Sequence, residues 1–361
     1  MNWDNAMVRD RPCWAGPAQL AESNIMPKSE QSKQDSNLDV LRSIAVLTVL
    51  GFHLAQLRGG QESWGRFGVL IFFVHTSLVL MMSLERLAAR HSHIALPFYI
   101  QRVFRIYPLS ILCVLCVVIC HIPPSIYEPY RRPGAFMLIS NLLLAQNTGV
   151  GSVSGPLWSL PYEVQMYVLL PFLYLLLKRH AGWRVLLALV ILSVGFGSLQ
   201  LLSAYGKVAQ FFPCFMGGIL AFWLRRRQKA VFPAGLWPVW VIALGLFYEA
   251  ASFFGKEFFI CLALGGSAGW FRDIKPGFIA ALARQIAKYS YGIYLAHAPL
   301  IWICFRELPL GSPAIRLALF FLLLALVVIL LYHCVEAPFI ALGRRLAAPS
   351  DGIRSRHTAE P

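Results

Sequence analysis

Charged residues are scarce in this sequence, and their scarcity excludes an ordinary soluble domain. Only 14% of the 361 residues are Asp, Glu, Lys or Arg, whereas 58% are hydrophobic. A soluble domain has about 25% charged and about 45–50% apolar residues. The apolar residues form continuous runs, without the alternation of apolar and polar positions that a transmembrane β-barrel needs. The sequence therefore predicts an all-α, polytopic membrane protein.

Acidic residues are the scarcer of the two kinds of charge. The chain has 17 Asp and Glu against 32 Lys and Arg, a net charge of +15 at pH 7. Such a charge is also found in nucleic-acid-binding proteins. Here, however, the basic residues cluster beside the ends of apolar runs, as the topology of a membrane protein requires. We therefore predict the lipid bilayer, and no nucleic acid, as a partner.

The first 37 residues lack the charged start and the apolar core of about 7–15 residues that mark a secretory signal peptide. They are polar and irregular, and the other end of the chain is basic. We predict a disordered cytosolic tail at 1–37, a membrane domain at 38–340 and a basic cytosolic tail at 341–361.

A disulfide framework is also not indicated, because seven of the eight cysteines lie within or against apolar runs. Cys113, Cys116 and Cys120 share one helix face and His121 follows, which leaves a metal site as an alternative interpretation. Small residues that pack between helices explain the pattern better, and we predict no metal.

Ten apolar runs predict about ten transmembrane helices, at 40–58, 67–84, 106–121, 158–177, 185–203, 208–224, 236–253, 258–271, 286–305 and 315–338. An eleventh run, 135–147, is shorter than the roughly 17–25 residues of a span. If it also crossed, the later basic clusters would move to the outer side, against the positive-inside rule. We therefore predict that both termini are cytosolic and that 135–147 is re-entrant or interfacial.

The first apolar run, LDVLRSIAVLTVLGFHLAQL, carries Arg42 and His53. Eleven residues are almost three helical turns, so both side chains lie on one face, about 16 Å apart along the axis. If Arg42 marks the cytosolic boundary, His53 lies near the middle of the bilayer.

Further ionisable residues in or beside the apolar runs are His75, Glu163, His297 and Glu336. Each costs about 2.5–3.5 kcal/mol at the bilayer centre on insertion scales. Such residues either pair with one another and fix the packing of helices, or line a polar cavity that holds a substrate. Their number in one chain favours the cavity.

Six motifs, in the same order, resemble those of the acyltransferase-3 family of integral membrane acyltransferases, over about 38–340. They are LDVLRSIAVLTVLGFH, FFVHTSL, RVFRIYP, WSLPYEVQMY, SYGIYLAHAP and EAPF, similar to the family's LDxLRGIAAxxVxxxH, FFVxSGF, RxxRIxP, WSLxxExxFY, SYxxYLxHxP and ExPF. The chain departs from the pattern at Ser43 (for Gly), at Thr76 and Ser77 (for Ser-Gly) and at Val164 (for a second Glu).

The resemblance implies an O-acyltransferase that moves an acyl group, acetyl in the first place, from cytosolic acetyl-CoA to a hydroxyl of a glycan or other acceptor across the membrane. It implies that His53 is the base and that Arg42 beside it is essential. His53 either takes the proton of the acceptor hydroxyl or forms a covalent acyl-His intermediate, and both mechanisms stay open. Glu163 would orient His53 or the acceptor.

The resemblance also implies supporting residues and a location. Arg102 and Arg105 are expected to bind the phosphates of acetyl-CoA, although the positive-inside rule alone would also place arginines there. Tyr167, one turn from Glu163, is a candidate hydrogen-bond partner. His297 and Trp158 are candidate substrate-binding or supporting residues. The family's distribution implies a bacterial inner (plasma) membrane.

Two other functions suit a bundle with buried charges. A transporter or flippase of a glycan or small molecule usually shows internal repeats, and none is evident in the two halves of this chain. A non-catalytic subunit of a glycan-modifying assembly has no need of His53 or Arg102, and both are present. We therefore predict the acyltransferase.

Overall fold

The computed structural model describes residues 28–59, 63–125, 127–180, 182–202, 207–308 and 311–348. Within these ranges the protein is helical and has no strand beyond one bridge between Phe232 and Phe271. The predicted all-α class is therefore confirmed. Most of the two predicted tails, 1–27 and 349–361, lies outside the described residues, so the division into tails and membrane domain stays a prediction.

Twelve α-helices follow one another in the described chain: α1 Lys28–Gln56, α2 Ser63–Ala88, α3 Ala95–Ile119, α4 Ala135–Leu142, α5 Leu160–Arg179, α6 Trp183–Leu202, α7 Phe212–Leu224, α8 Leu236–Ala250, α9 Lys256–Ser267, α10 Phe278–Trp302, α11 Pro313–Leu331 and α12 Ala337–Leu346. A 3₁₀ turn, Gly155–Ser159, leads into α5. Two π-helical turns, Ile303–Glu307 after α10 and Tyr332–Glu336 between α11 and α12, widen the helices locally.

Each of the ten predicted apolar runs coincides with one of these helices. Six helical segments of the described chain are long and apolar enough to cross a membrane: Ser36–Gln56, Trp64–Ala88, Ala95–Ile119, Gly155–Arg179, Trp183–Gln200 and Pro313–Leu346. The helix within 135–147 has eight residues and is therefore about 12 Å long. Because that is less than half of the bilayer core, this helix is too short to cross.

Helix α2 lies at the centre of the bundle, and α6 lies at its edge. Of the apolar window of α2, 78% is buried, against 17% for α6. The central helix packs against α1, α7 and α9, and α1 packs in turn along α10. The interface of α1, α2 and α10 is therefore the part of the fold that positions the candidate site.

Glycines bring α2, α7 and α9 into backbone contact. A Cβ atom at Gly265 would lie 1.9 Å from the carbonyl oxygen of Gly217, and one at Gly218 would lie 2.1 Å from that of Val74. Small residues at helix interfaces allow this approach in membrane proteins.

We expect Gly265→Ala to destabilise the protein by about 2–3 kcal/mol, because the added methyl group forces α7 and α9 apart. The matched control is Gly266→Ala, whose Cβ would meet only Leu220 Cδ2, at 3.6 Å. The midpoints of thermal unfolding in detergent, with size-exclusion chromatography as the readout, are compared for the two variants. Equal midpoints would contradict this account of the packing.

Candidate functional site

Two cavities contain most of the predicted site residues. The arginine cavity, about 80 Å³, is lined among others by Arg42, His75, Arg102, Arg105, Glu163, Tyr167, Ser290, Tyr291 and Tyr294. The histidine cavity, about 420 Å³, is lined among others by His53, Gln56, Arg66, Glu128, Pro156, Trp158, Tyr294 and Ala298. Of the residues singled out in the sequence, His297 and Glu336 line neither cavity.

The two cavities lie end to end along α1, α2 and α10. On α1, the lining passes from Arg42 to His53, and on α10 from Ser290 to Ala298. Helix α2 runs the other way, with Arg66 at the histidine cavity and His75 at the arginine cavity. The two side chains that the sequence places on one face of α1 therefore serve different cavities.

Arg42 is held by α10. Its Nε donates a hydrogen bond of 2.5 Å to Ser290 Oγ, which in turn donates to the carbonyl oxygen of Ala287 at 2.8 Å. The guanidinium carbon lies 5.9 Å from the centre of the Phe72 ring. These contacts fix the cation in the wall of the arginine cavity.

Arg105 forms an ion pair with Glu336, whose side chain is 1% exposed. Glu336 is the last residue of the π-helical turn Tyr332–Glu336. Such turns frequently occur at functional sites. The guanidinium carbon of Arg105 also lies 6.0 Å from the centre of the Tyr291 ring. One nitrogen of Arg105 is therefore already occupied by a protein carboxylate.

Arg102 uses less of its hydrogen-bonding capacity. Its Nε is buried and has no hydrogen-bond partner among the described residues, and its guanidinium carbon lies 5.9 Å from the centre of the Phe98 ring. A buried donor without a partner is costly. Arg102 is therefore the arginine of this cavity best suited to bind an anionic ligand.

Glu163 lies in the arginine cavity and not beside His53. Tyr167, one turn further along α5, donates a hydrogen bond to its carboxylate. With three arginines and one carboxylate on its wall, the cavity carries an excess of positive charge, which attracts anions.

His53 and His297 lie ring against ring, with their centres 4.9 Å apart. The Nδ1 atom of His53 is 3.0 Å from Gln56 Oε1, and that of His297 is 3.0 Å from the carbonyl oxygen of Ile293. Both oxygens can only accept, so in the neutral form each Nδ1 carries the proton and each Nε2 is the basic nitrogen. His297 is 1% exposed and, unlike His53, does not line the cavity.

The comparison with known proteins decides the family. A family model described as an acyltransferase domain, acyltransferase 3, matches residues 35–333. The chain belongs to the acyltransferase-3 family.

The acyltransferase-3 chain also resembles two curated proteins. It shares 28% identity with peptidoglycan O-acetyltransferase OatA of Listeria monocytogenes, over 77% of this chain and 51% of that protein. It shares 24% identity with YrhL of Bacillus subtilis, whose name assigns the same activity provisionally, over 88% of this chain and 57% of that protein. The chain thus spans about half the length of these relatives. No solved structure matches it significantly.

The structure places three further residues of this acyltransferase-3 chain, Ser290, Tyr294 and Glu336, in or beside the site. The sequence alone did not indicate this placement. Ser290 and Tyr294 belong to the motif SYGIYLAHAP, in which only His297 suggested chemistry. The sequence assigns no contact to the Glu336 carboxylate. The signal it offers for this residue is its place in the closing motif EAPF. Which helix each of them contacts follows only from the packing.

The alternative of a metal site at Cys113, Cys116, Cys120 and His121 concerns the described part of the chain. No group of three or more His, Cys, Asp or Glu there could hold a metal ion. Cys113, Cys116 and Cys120 are free thiols on α3 and the residue that follows it.

Proposed function

We propose that the protein is a membrane O-acetyltransferase that takes an acetyl group from cytosolic acetyl-CoA and delivers it to a glycan hydroxyl on the far side of the membrane. The observation that carries the proposal is the end-to-end arrangement of a basic cavity and a histidine cavity along the same three helices. The names of the relatives make peptidoglycan the first acceptor to test.

The proposed orientation places the arginine cavity toward the cytosol. Ten spans with both termini cytosolic put the basic clusters at the ends of α2, α5 and α7 on the cytosolic side, as the positive-inside rule favours. The same orientation opens the histidine cavity to the outer side of a bacterial inner membrane. Acetyl-CoA, which is cytosolic, and an extracytoplasmic glycan then reach the protein from opposite ends.

At the donor end, the positive charge of Arg102 and Arg42 would attract the anionic acetyl-CoA. Their guanidinium groups would donate hydrogen bonds to oxygens of the part of the donor that enters the cavity. The cavity itself, about 80 Å³, has room for a small acyl group and not for a whole coenzyme. The thioester end would therefore enter while the nucleotide stays at the cytosolic surface.

At the acceptor end, His53 Nε2 would take the proton of the glycan hydroxyl, whose oxygen then bonds to the acetyl carbon. The carbon–sulfur bond breaks, and coenzyme A leaves as the thiol after it receives the proton. In the covalent alternative, Nε2 itself bonds to the acetyl carbon first. The tautomer fixed by Gln56 suits both routes.

The deciding experiment supplies acetyl-CoA with a labelled acetyl group to the cytosolic face of sealed membranes that contain peptidoglycan precursors. Membranes with the protein should incorporate label into glycan, and matched membranes without it should not. If several acyl-CoA donors and acceptors give no label while the protein moves an unmodified glycan or solute, the acetyltransferase proposal is wrong and the transporter is right.

Arg102→Gln should raise the KM for acetyl-CoA about tenfold, since hydrogen bonds to charged groups contribute about 1.5–3 kcal/mol. The control is Arg90→Gln, which removes the same charge from an exposed position beyond the end of α2. Initial rates at varied acetyl-CoA measure both variants. The same KM in both would show that Arg102 serves topology and not donor binding.

A further inference from the structure

Tyr294 lies at the boundary between the two cavities. Among the residues that the structure describes, it is the one that lines both of them. Its neighbours on α10 separate cleanly: Ser290 and Tyr291 line the arginine cavity, whereas Ala298 and Ile301 line the histidine cavity. The ring of Tyr294 therefore stands where a group that passes from one cavity to the other must go.

The hydroxyl of Tyr294 is tied to the segment before α5. It donates to the carbonyl oxygen of Pro156 at 2.7 Å and accepts from Ser159 Oγ at 2.7 Å. The donor roles follow because a carbonyl oxygen can only accept. Pro156 lines the histidine cavity and Ser159 the arginine cavity, so Tyr294, Pro156 and Ser159 together form a wall between the two.

The position of this wall creates a requirement for the proposed reaction. Arg42 and His53 are eleven residues apart on α1, about 16 Å along the axis, and the wall lies between them. A thioester held by the arginines cannot meet His53 while the wall is closed. Water that enters the histidine cavity is likewise kept from the thioester.

We propose that Tyr294 is a gate between the donor and acceptor cavities, which admits the acetyl group and excludes acceptor-side water from the thioester. This proposal rests on the proposed acetyltransferase function. In it, Tyr294 acts through its position and forms no covalent bond with the substrate. The side reaction it prevents is hydrolysis. In that reaction a water oxygen bonds to the acetyl carbon, the carbon–sulfur bond breaks, and coenzyme A leaves as the thiol beside acetate.

Accessibility of a cysteine tests the gate without any need for activity. Thr76→Cys places a thiol in the arginine cavity, and Ala298→Cys places one in the histidine cavity. A charged, membrane-impermeant methanethiosulfonate reagent is applied to sealed vesicles from the side on which Ala298→Cys reacts. Mass spectrometry of the peptide that contains position 76 then separates its labelling from that of the native cysteines.

Labelling of Thr76→Cys should be slow with Tyr294 present and about fivefold to a hundredfold faster with Tyr294→Phe, the range that loss of its two hydrogen bonds, to Pro156 and from Ser159, allows. Tyr294→Ala should accelerate it further. Tyr289→Phe is the matched control, because it removes one hydroxyl from the same helix outside both cavities, where it contacts Lys288 and His333 and not the wall. Unchanged labelling in both Tyr294 variants would overturn the gate.

The second readout is the ratio of acetyl-CoA hydrolysed without acceptor to acetyl group transferred to glycan. We expect Tyr294→Phe, which loses both hydrogen bonds of the hydroxyl, to raise this ratio about fivefold to a hundredfold while the protein stays monodisperse. A variant that loses hydrolysis and transfer together, with labelling at position 76 unchanged, would show a merely structural tyrosine. If the wild type transfers nothing, the acetyltransferase proposal fails, and the labelling still decides whether Tyr294 separates the cavities.

Discussion

Replacement of His53 by glutamine is expected to lower the rate of acetyl transfer by about 10²–10⁴-fold, the usual contribution of a positioned acid–base group. Glutamine keeps a polar side chain that can bond to Gln56, but it cannot take up a proton near neutral pH. The KM for acetyl-CoA should change little, because His53 does not line the cavity that contains Arg42, Arg102 and Arg105. Label transfer at matched expression measures the rate.

The control for this prediction is His93→Gln, an exposed histidine outside both cavities, which should keep the wild-type rate. Transfer by His53→Gln at the wild-type rate would refute both roles proposed for His53. Incubation of the wild-type protein with labelled donor and no acceptor then separates the two roles. Label retained on His53 indicates the acyl-His route, whereas an unlabelled but active protein indicates direct proton abstraction.

Removal of the Glu336 carboxylate is expected to destabilise the protein by about 3–5 kcal/mol, the cost of breaking a buried ion pair on one side. Glu336→Met would leave the guanidinium of Arg105, which is 24% exposed, without its carboxylate in a wall that also holds Arg42 and Arg102. Thermal unfolding in detergent measures the effect. Donor binding should weaken as well, because the position of Arg105 is lost.

A double variant makes this second prediction specific. Replacement of both partners by apolar residues of similar volume is often neutral, so Arg105→Met with Glu336→Met should recover much of the lost stability. The control is Arg284→Ala, which breaks the ion pair of Arg284 with Asp39 at 3.8 Å. Because the arginine side chain is 61% exposed, this variant should lower the free energy of unfolding by about 1 kcal/mol or less. Equal midpoints for the single and double Met variants would contradict a structural ion pair.

The sequence predicts the helices well because backbone groups inside a bilayer must bond within their own segment. Continuous apolar runs therefore become helices, as the coincidence of all ten runs with described helices shows. The short segment 135–147 is separated from them by its length and by the positive-inside rule, and its helix has eight residues. The side of the membrane on which each loop lies is a matter of charge bias, and the positions of the helices do not determine it.

The candidate site could be predicted along a helix but not across helices. The period of 3.6 residues places Arg42 and His53 on one face of α1, and Tyr167 does bond to Glu163 one turn away. The contact of Glu163 with the arginine cavity depends on how α5 packs against α2 and α3. Periodicity carries no information on that packing, nor on a wall made by one tyrosine.

The bond between Arg42 and Ser290 joins positions 248 residues apart in the chain. At a synthesis rate of about 5–20 residues per second, roughly 10–50 s pass between the appearance of the two residues at the ribosome. During that time α1 must reside in or near the membrane while Arg42 contacts other polar groups, such as lipid headgroups or an insertion chaperone. Biogenesis of this fold therefore has a late step, the docking of α10 on α1. Chains interrupted before residue 290 are expected to be the ones that quality-control proteases remove.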